Sequence, residues 1–157
     1  MMESYRSILG QQPASFAAPA WLLSRELFDL EQQAGFAFAS DVRGTSPFLP
    51  SFEGREGTVP QLPSTLPTLD ECLGRMTAEE FVDRSLAGAR EQTGYACFTA
   101  HAEAEGLEYQ SVLETFLARL DRPAVPLGEA IRIRLPRREI RLGRVSGRPY
   151  DVCLQAN

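Results

Sequence analysis

The sequence predicts an α/β fold in which about four short parallel strands alternate with amphipathic helices. Two observations predict it. Short apolar runs bounded by Pro, Gly or polar clusters recur at 14–18, 36–40, 95–100 and 123–127, which is the length and punctuation of strands buried on both faces. Between them lie stretches with apolar residues at helical spacing, and such alternation means a parallel sheet covered by helices. Four parallel strands do not close a barrel, so the chain is either a small open sheet or about half of a larger one.

In chain order, residues 2–9 read as the last turns of a helix, stopped by Gly10 and followed by Pro13, a residue pair typical of a helix C-terminus. Ala14–Ala18 is the first strand and opens into Pro19-Ala20-Trp21. Ser24 caps a helix carrying Leu27, Phe28 and Leu30 and ending at Gly35. Phe36–Ser40 is the second strand, and the polar cluster Ser40-Asp41-Val42-Arg43-Gly44 follows it. Residues 45–68 are rich in proline and glycine and are expected to form a long surface loop, the kind that serves as a lid or binding loop. Thr77 with Glu80 forms a capping box for a helix bearing Phe81, Val82, Leu86 and Ala89. Tyr95–Ala100 is the third strand, 109–120 a helix, and Pro123–Leu127 the fourth strand, with a brief helix from Gly128.

At 157 residues, with 43% hydrophobic and 24% charged residues, the chain has the composition of one globular domain. No run approaches the roughly 18–20 apolar residues that span a bilayer, and the first residues show no signal-peptide pattern. Cys72, Cys97 and Cys153 are an odd number without metal spacing, which fits a reducing, cytoplasmic compartment. A single histidine, His101, excludes every metal site built on two imidazoles. Phosphate-loop, dinucleotide and nucleophile-elbow motifs are absent. Residues 1–131 carry 9 Arg against 19 acids, whereas 132–157 carry 7 Arg against Glu139 and Asp151. The expected organisation is therefore a domain at 1–131 and a basic tail at 132–157. That tail could face anionic lipid headgroups or nucleic acid, or it is a solvated face that neutralises an acidic neighbouring surface.

In parallel α/β folds the chemistry sits at the C-terminal ends of the strands. That rule selects Trp21 after the first strand, Ser40, Asp41 and Arg43 after the second, and His101, Glu103 and Glu105 after the third. His101 is the one side chain whose ordinary titration lies near neutral pH, and neighbouring carboxylates would hold it as an imidazolium able to donate a proton. Asp41 and Arg43 are either a surface ion pair closing a turn or a substrate-orienting carboxylate and its partner. Glu103 and Glu105, two apart in a strand-like stretch, would point the same way and suit a cation, an amine or a metal, or they are solvated charge. Trp21 is a core aromatic or the wall of a sugar pocket.

The run from Gly10 to Trp21, with Ala34–Asp41 after the intervening helix, resembles the third and fourth motifs of the polysaccharide deacetylase (NodB-homology, carbohydrate esterase family 4) superfamily. Ser40–Gly44, Gln61–Glu71 and Thr99–Gly106 are similar, within it, to the deformylases of 4-deoxy-4-formamido-L-arabinose-phosphoundecaprenol in lipid A modification. The resemblance implies a partial (β/α) barrel and metal-dependent hydrolysis of an N-formyl or N-acetyl group on a lipid-linked sugar. It makes His101 the general acid, Asp41 the fourth-motif carboxylate and Trp21 the aromatic wall of the substrate pocket, and the strand-end residues Ser40, Arg43, Glu103 and Glu105 are expected around the substrate beside them. It also implies a divalent, zinc-type metal in the complete enzyme. The motifs that hold the metal and the base would precede the first residue, and Ala17 stands where the third motif has an arginine. The chain alone is therefore expected to bind no metal and to need a complementary half or self-association. A non-catalytic half-domain that binds a glycolipid or a partner chain is the alternative. No nucleic-acid partner is expected.

Overall fold

A computed structural model describes residues 2–131 and 134–156. Five helices, α1 (Met2–Leu9), α2 (Arg25–Ala34), α3 (Leu69–Cys72), α4 (Ala78–Glu91) and α5 (Gln110–Ala118), alternate with strands β1 (Ser15–Phe16), β2 (Phe38–Ala39), β3 (Leu49–Phe52), β4 (Arg55–Glu56), β5 (Arg137–Arg144) and β6 (Asp151–Gln155). The helix boundaries follow their local chemistry. Ser24 Oγ accepts the Leu27 N–H at the start of α2, and Gly35 closes it in the left-handed conformation at φ 65°. Thr77 and Glu80 form the reciprocal capping box of α4.

The strands differ from the simple alternation. β1 and β2 pair in parallel, as expected, but over two residues each. The second sheet has the order β4-β3-β5-β6, with β3 and β5 parallel and the other pairs antiparallel. Its strands come from the two segments whose composition argued against regular structure. Within 45–68, β3 and β4 form a hairpin whose two turn residues, Glu53 and Gly54, both have positive φ (48° and 76°), matching the twist of the strands it joins. The basic segment is a hairpin as well: β5 lies against β3, and Ile140, Val152 and Cys153 are buried. Ile140 is the one buried residue of β5, which is nonetheless paired on both sides, and charge counting hides it.

The expected third and fourth strands form no ladder. Residues 95–100 run extended beside Thr65 and Leu66, whose N–H groups both donate to the Cys97 carbonyl at 3.2 and 3.1 Å, while the Cys97 N–H donates to Thr65 Oγ1 at 2.9 Å. Residues 123–127 are unpaired, because Pro123 and Pro126 remove two donors and Val125 is 62% exposed.

Two cores hold these elements. One joins Phe81, Val82 and Leu86 of α4 to Val112 and Phe116 of α5 and to Leu66, Leu69 and Cys72. The other places Phe28 of α2 with Leu23, Val42, Phe48, Phe52, Ile140 and Cys153. The segment 39–43 lies between them and is bonded on both sides: Leu62 N–H to the Ala39 carbonyl, Ser64 N–H to Val42, and Arg43 N–H to the Cys153 carbonyl. Phe48 is fully buried in the second core. Phe48→Ala is expected to cost about 3–5 kcal/mol in urea unfolding, whereas Val125→Ser, at an exposed position, should change stability by less than about 0.5 kcal/mol.

Candidate functional site

The segment after β2 carries Ser40, Asp41 and Arg43 into the middle of the molecule. Asp41 is fully buried, so the surface ion pair with Arg43 does not exist. Its carboxylate accepts the Ala18 N–H at 2.7 Å and the Gln61 side-chain amide, and its own N–H donates to Gln61 Oε1 at 3.0 Å. Glu31 of α2 is 1% exposed and faces Asp41. Burial, and then the Asp41 charge, push the Glu31 carboxyl up to about 9, so it is neutral at physiological pH. Burial raises Asp41 as well, opposed by its donors from Gln61 and Ala18. Ser40 Oγ donates to the Leu62 carbonyl at 2.7 Å.

Arg43 turns the other way. It donates to the Leu66 carbonyl at 2.6 Å and lies 3.6 Å from Glu71. Burial lowers its pKa, with Glu71 opposing. Its guanidinium carbon is 4.9 Å from the Trp21 ring centroid, and that of Arg148, from the β5–β6 turn, is 4.7 Å from the same ring. Trp21 is 5% exposed, at a backbone φ of 55° in the turn Pro19–Trp21. Its Nε1–H donates to Ser64 Oγ at 3.2 Å, and Ser64 Oγ is 2.7 Å from Thr99 Oγ1.

Thr99 leads to His101, which is half-buried. The stretch after it is a π-helical turn over Ala104–Glu108 rather than a strand, a local form that recurs at functional sites. Glu103 and Glu105 therefore do not point the same way. Glu105 is fully buried and accepts the His101 N–H at 2.9 Å, while Glu103 is exposed. A cleft of about 880 Å³ is lined by Leu86, Phe98, Phe116 and Leu120 among others and stops short of Thr99 and His101.

Seven sequence-selected residues thus fall into three places: Asp41 and Ser40 in the core of the segment, Trp21 and Arg43 under the β5–β6 turn, and His101 with Glu105 and the exposed Glu103 at the π-helical turn. Sequence reasoning missed Glu31, Ser64, Glu71, Thr99 and Arg148. Ser64 and Glu71 sit inside Gln61–Glu71, one of the stretches that carries the resemblance, and that was the available signal. Among the described residues no three His, Cys, Asp or Glu side chains gather to hold a metal ion. Asp41 is already saturated by donors, Glu31 is protonated and Glu105 faces a backbone N–H, so these residues do not form a divalent-metal site by themselves.

No family model matches the chain. It is 32% identical over 105 residues to a Wigglesworthia glossinidia brevipalpis protein named as the 4-deoxy-4-formamido-L-arabinose-phosphoundecaprenol deformylase ArnD, covering 65% of this chain and 36% of the relative. A protein of the same name from Shewanella sediminis is 30% identical over 116 residues, covering 71% and 35%. The fold matches that of a polysaccharide deacetylase from Mycobacterium smegmatis with a TM-score of 0.56 at 20% identity, over 74% of this chain and 46% of that one. The chain is thus similar to these deformylases over about two thirds of its own length. It spans about a third of the length of the curated relatives it matches. Its mixed α/β architecture with open sheets agrees with a partial form of the deacetylase fold.

The Glu31–Asp41 pair gives the chain a defined pH response. A carboxyl raised from 4.5 to about 9 on folding contributes stability that is complete below about pH 4.5 and is lost as pH rises towards 9, at a limiting slope of about 1.4 kcal/mol per pH unit. Glu31→Gln keeps the shape without the charge. In urea titrations it is expected to flatten the decline between pH 5 and 8 and to be more stable than wild type at pH 8.

Proposed function

We propose that the chain carries the acid-bearing part of an N-deformylase or N-deacetylase acting on a lipid-linked amino sugar. The observation that carries this reading is the placement of His101. It follows an extended segment at its C-terminal end, its N–H is fixed by the buried Glu105, and it stands two residues from the Thr99–Ser64–Trp21 contacts. The sequence similarity to deformylases supports the substrate class.

In this reading the leaving amine of the formamide or acetamide departs as His101 delivers a proton to its nitrogen, the step that makes C–N cleavage feasible near neutral pH. Glu105 holds the His101 backbone, and Glu103, exposed beside it, attracts the ammonium product. Ser40, Asp41, Trp21 and Arg43 form the floor beneath the substrate rather than its exposed wall. The polarising metal and the base are supplied by polypeptide outside these 157 residues, since the donor set here does not hold a divalent ion. A complementary chain or the preceding part of a longer protein fills that role.

The test mixes the chain with a polypeptide bearing the remaining two thirds of an ArnD relative and follows release of formate from a formamido-sugar phosphate. Activity is expected only in the mixture, and His101→Ala is expected to lower turnover about 10²- to 10⁴-fold with little change in KM. Equal turnover by His101→Ala would overturn the assignment.

A second reading, a non-catalytic half-domain that binds a partner chain, is favoured by one specific observation. Helix α1 buries none of its residues, and Ile8 and Leu9 are 78% and 55% exposed. Tight association with the same polypeptide but no formate release would select it. Membrane attachment through the basic segment draws on fewer charges than the sequence count, because Arg137, Arg141, Arg144 and Arg148 are already paired with carboxylates and Arg132 lies outside the described residues. Binding to phosphatidylglycerol vesicles is expected to be weak, lost as salt rises, and reduced by Arg134→Ala with Arg138→Ala in co-sedimentation.

A further inference from the structure

Arg148 stands far from the other site residues in sequence, yet it meets both Trp21 and Glu71. It comes from the turn between β5 and β6. Its guanidinium lies over Trp21, its Nη1 is 2.8 Å from Asp70, its Nε donates to Glu71 at 3.2 Å and its Nη2 to Thr68 Oγ1 at 3.3 Å. Its side chain is only 11% exposed. The turn is shaped to deliver it. Gly147 has φ 97°, and a Cβ there would come within 2.5 Å of the Glu71 carbonyl oxygen, so only glycine lets the backbone approach this closely.

Trp21, held in this way, passes the constraint on. Its indole N–H occupies a lone pair of Ser64 Oγ, which leaves the Ser64 hydroxyl hydrogen free to donate to Thr99 Oγ1, 2.7 Å away. Thr99 precedes His101 by two residues on an extended segment, and the other side of His101 is fixed by Glu105. We infer that Arg148 is a positioning residue for His101, acting through Trp21, Ser64 and Thr99, and that the β5–β6 turn is a working part of the site. The inference rests on reading His101 as the acid. A guanidinium is required, because its planar fork stacks on the indole while bonding two carboxylates and a hydroxyl; a lysine keeps the charge and loses the fork.

One tryptophan and one histidine make the test direct, since an isotopically labelled sample of the chain gives a single indole N–H signal and a single set of imidazole signals. Arg148→Lys is expected to shift both the indole and the imidazole resonances while circular dichroism stays native. Ser64→Ala, which changes no charge, is expected to shift the imidazole as well. Arg141→Ala, on the same hairpin but away from the turn and bonded to the exposed Glu139, is expected to move neither. Thr99→Val cuts the same hydroxyl contact and replaces Ser64→Ala if that variant does not fold. Imidazole signals that stay at their wild-type positions in Arg148→Lys, or in the hydroxyl variant, overturn the inference. Neither signal depends on turnover, so loss of the deformylase reading and loss of this one are seen separately.

Discussion

The buried exchange between Asp41 and Gln61 is the constraint on which the rest of the molecule depends. Each residue donates to the other, and the second carboxylate oxygen takes the Ala18 N–H. Three separate segments are thereby locked to one side chain: the exit of β1, the exit of β2 and the start of the stretch 61–71. An ionised or polar group this deep is tolerated only when its lone pairs are filled, and removing one partner leaves the others unsatisfied. The same exchange fixes the register of residues 39–43 against 61–64, and this register decides that Arg43 points towards Glu71 and Trp21 while Asp41 points inward.

From that anchor the site spreads by short polar contacts rather than through a pocket. Arg43 and Arg148 converge on one indole and share Glu71 between them. Two like charges so close are stable because two carboxylates, Asp70 and Glu71, lie beside them in a poorly solvated place. Trp21 is consequently a structural plate covered by guanidinium groups, and its sole polar atom is committed to Ser64. The cleft beside α4 and α5, by contrast, is mainly apolar and ends before His101.

The acids divide by environment. Glu31 and Asp41 face one another in the interior, and burial first, then the Asp41 charge, keeps a proton on Glu31. Glu105 spends its charge on a backbone N–H at the π-helical turn, and Glu103 remains in solvent. Four carboxylates that look alike in composition thus act as a neutral filler, an anchor, a backbone clamp and a free charge.

The sequence by itself determined the helices, their caps and the first parallel pair, because these follow from periodicity and from neighbours within four residues: Ser24 before α2, Gly35 after it, Thr77 with Glu80 on α4. It also singled out His101 and the cluster after residue 39 as candidates, since strand ends and unique residues are visible without coordinates. Only the tertiary structure decided which extended segments became strands. A strand is defined by the neighbour that completes its hydrogen bonds, and the neighbour of β3 is β5, almost ninety residues away, in a stretch whose arginines read as a solvated tail. The same long-range pairing brought Arg148 to Trp21 and Glu71, a meeting of charge and ring that no local pattern encodes because its cause is the register of a distant hairpin.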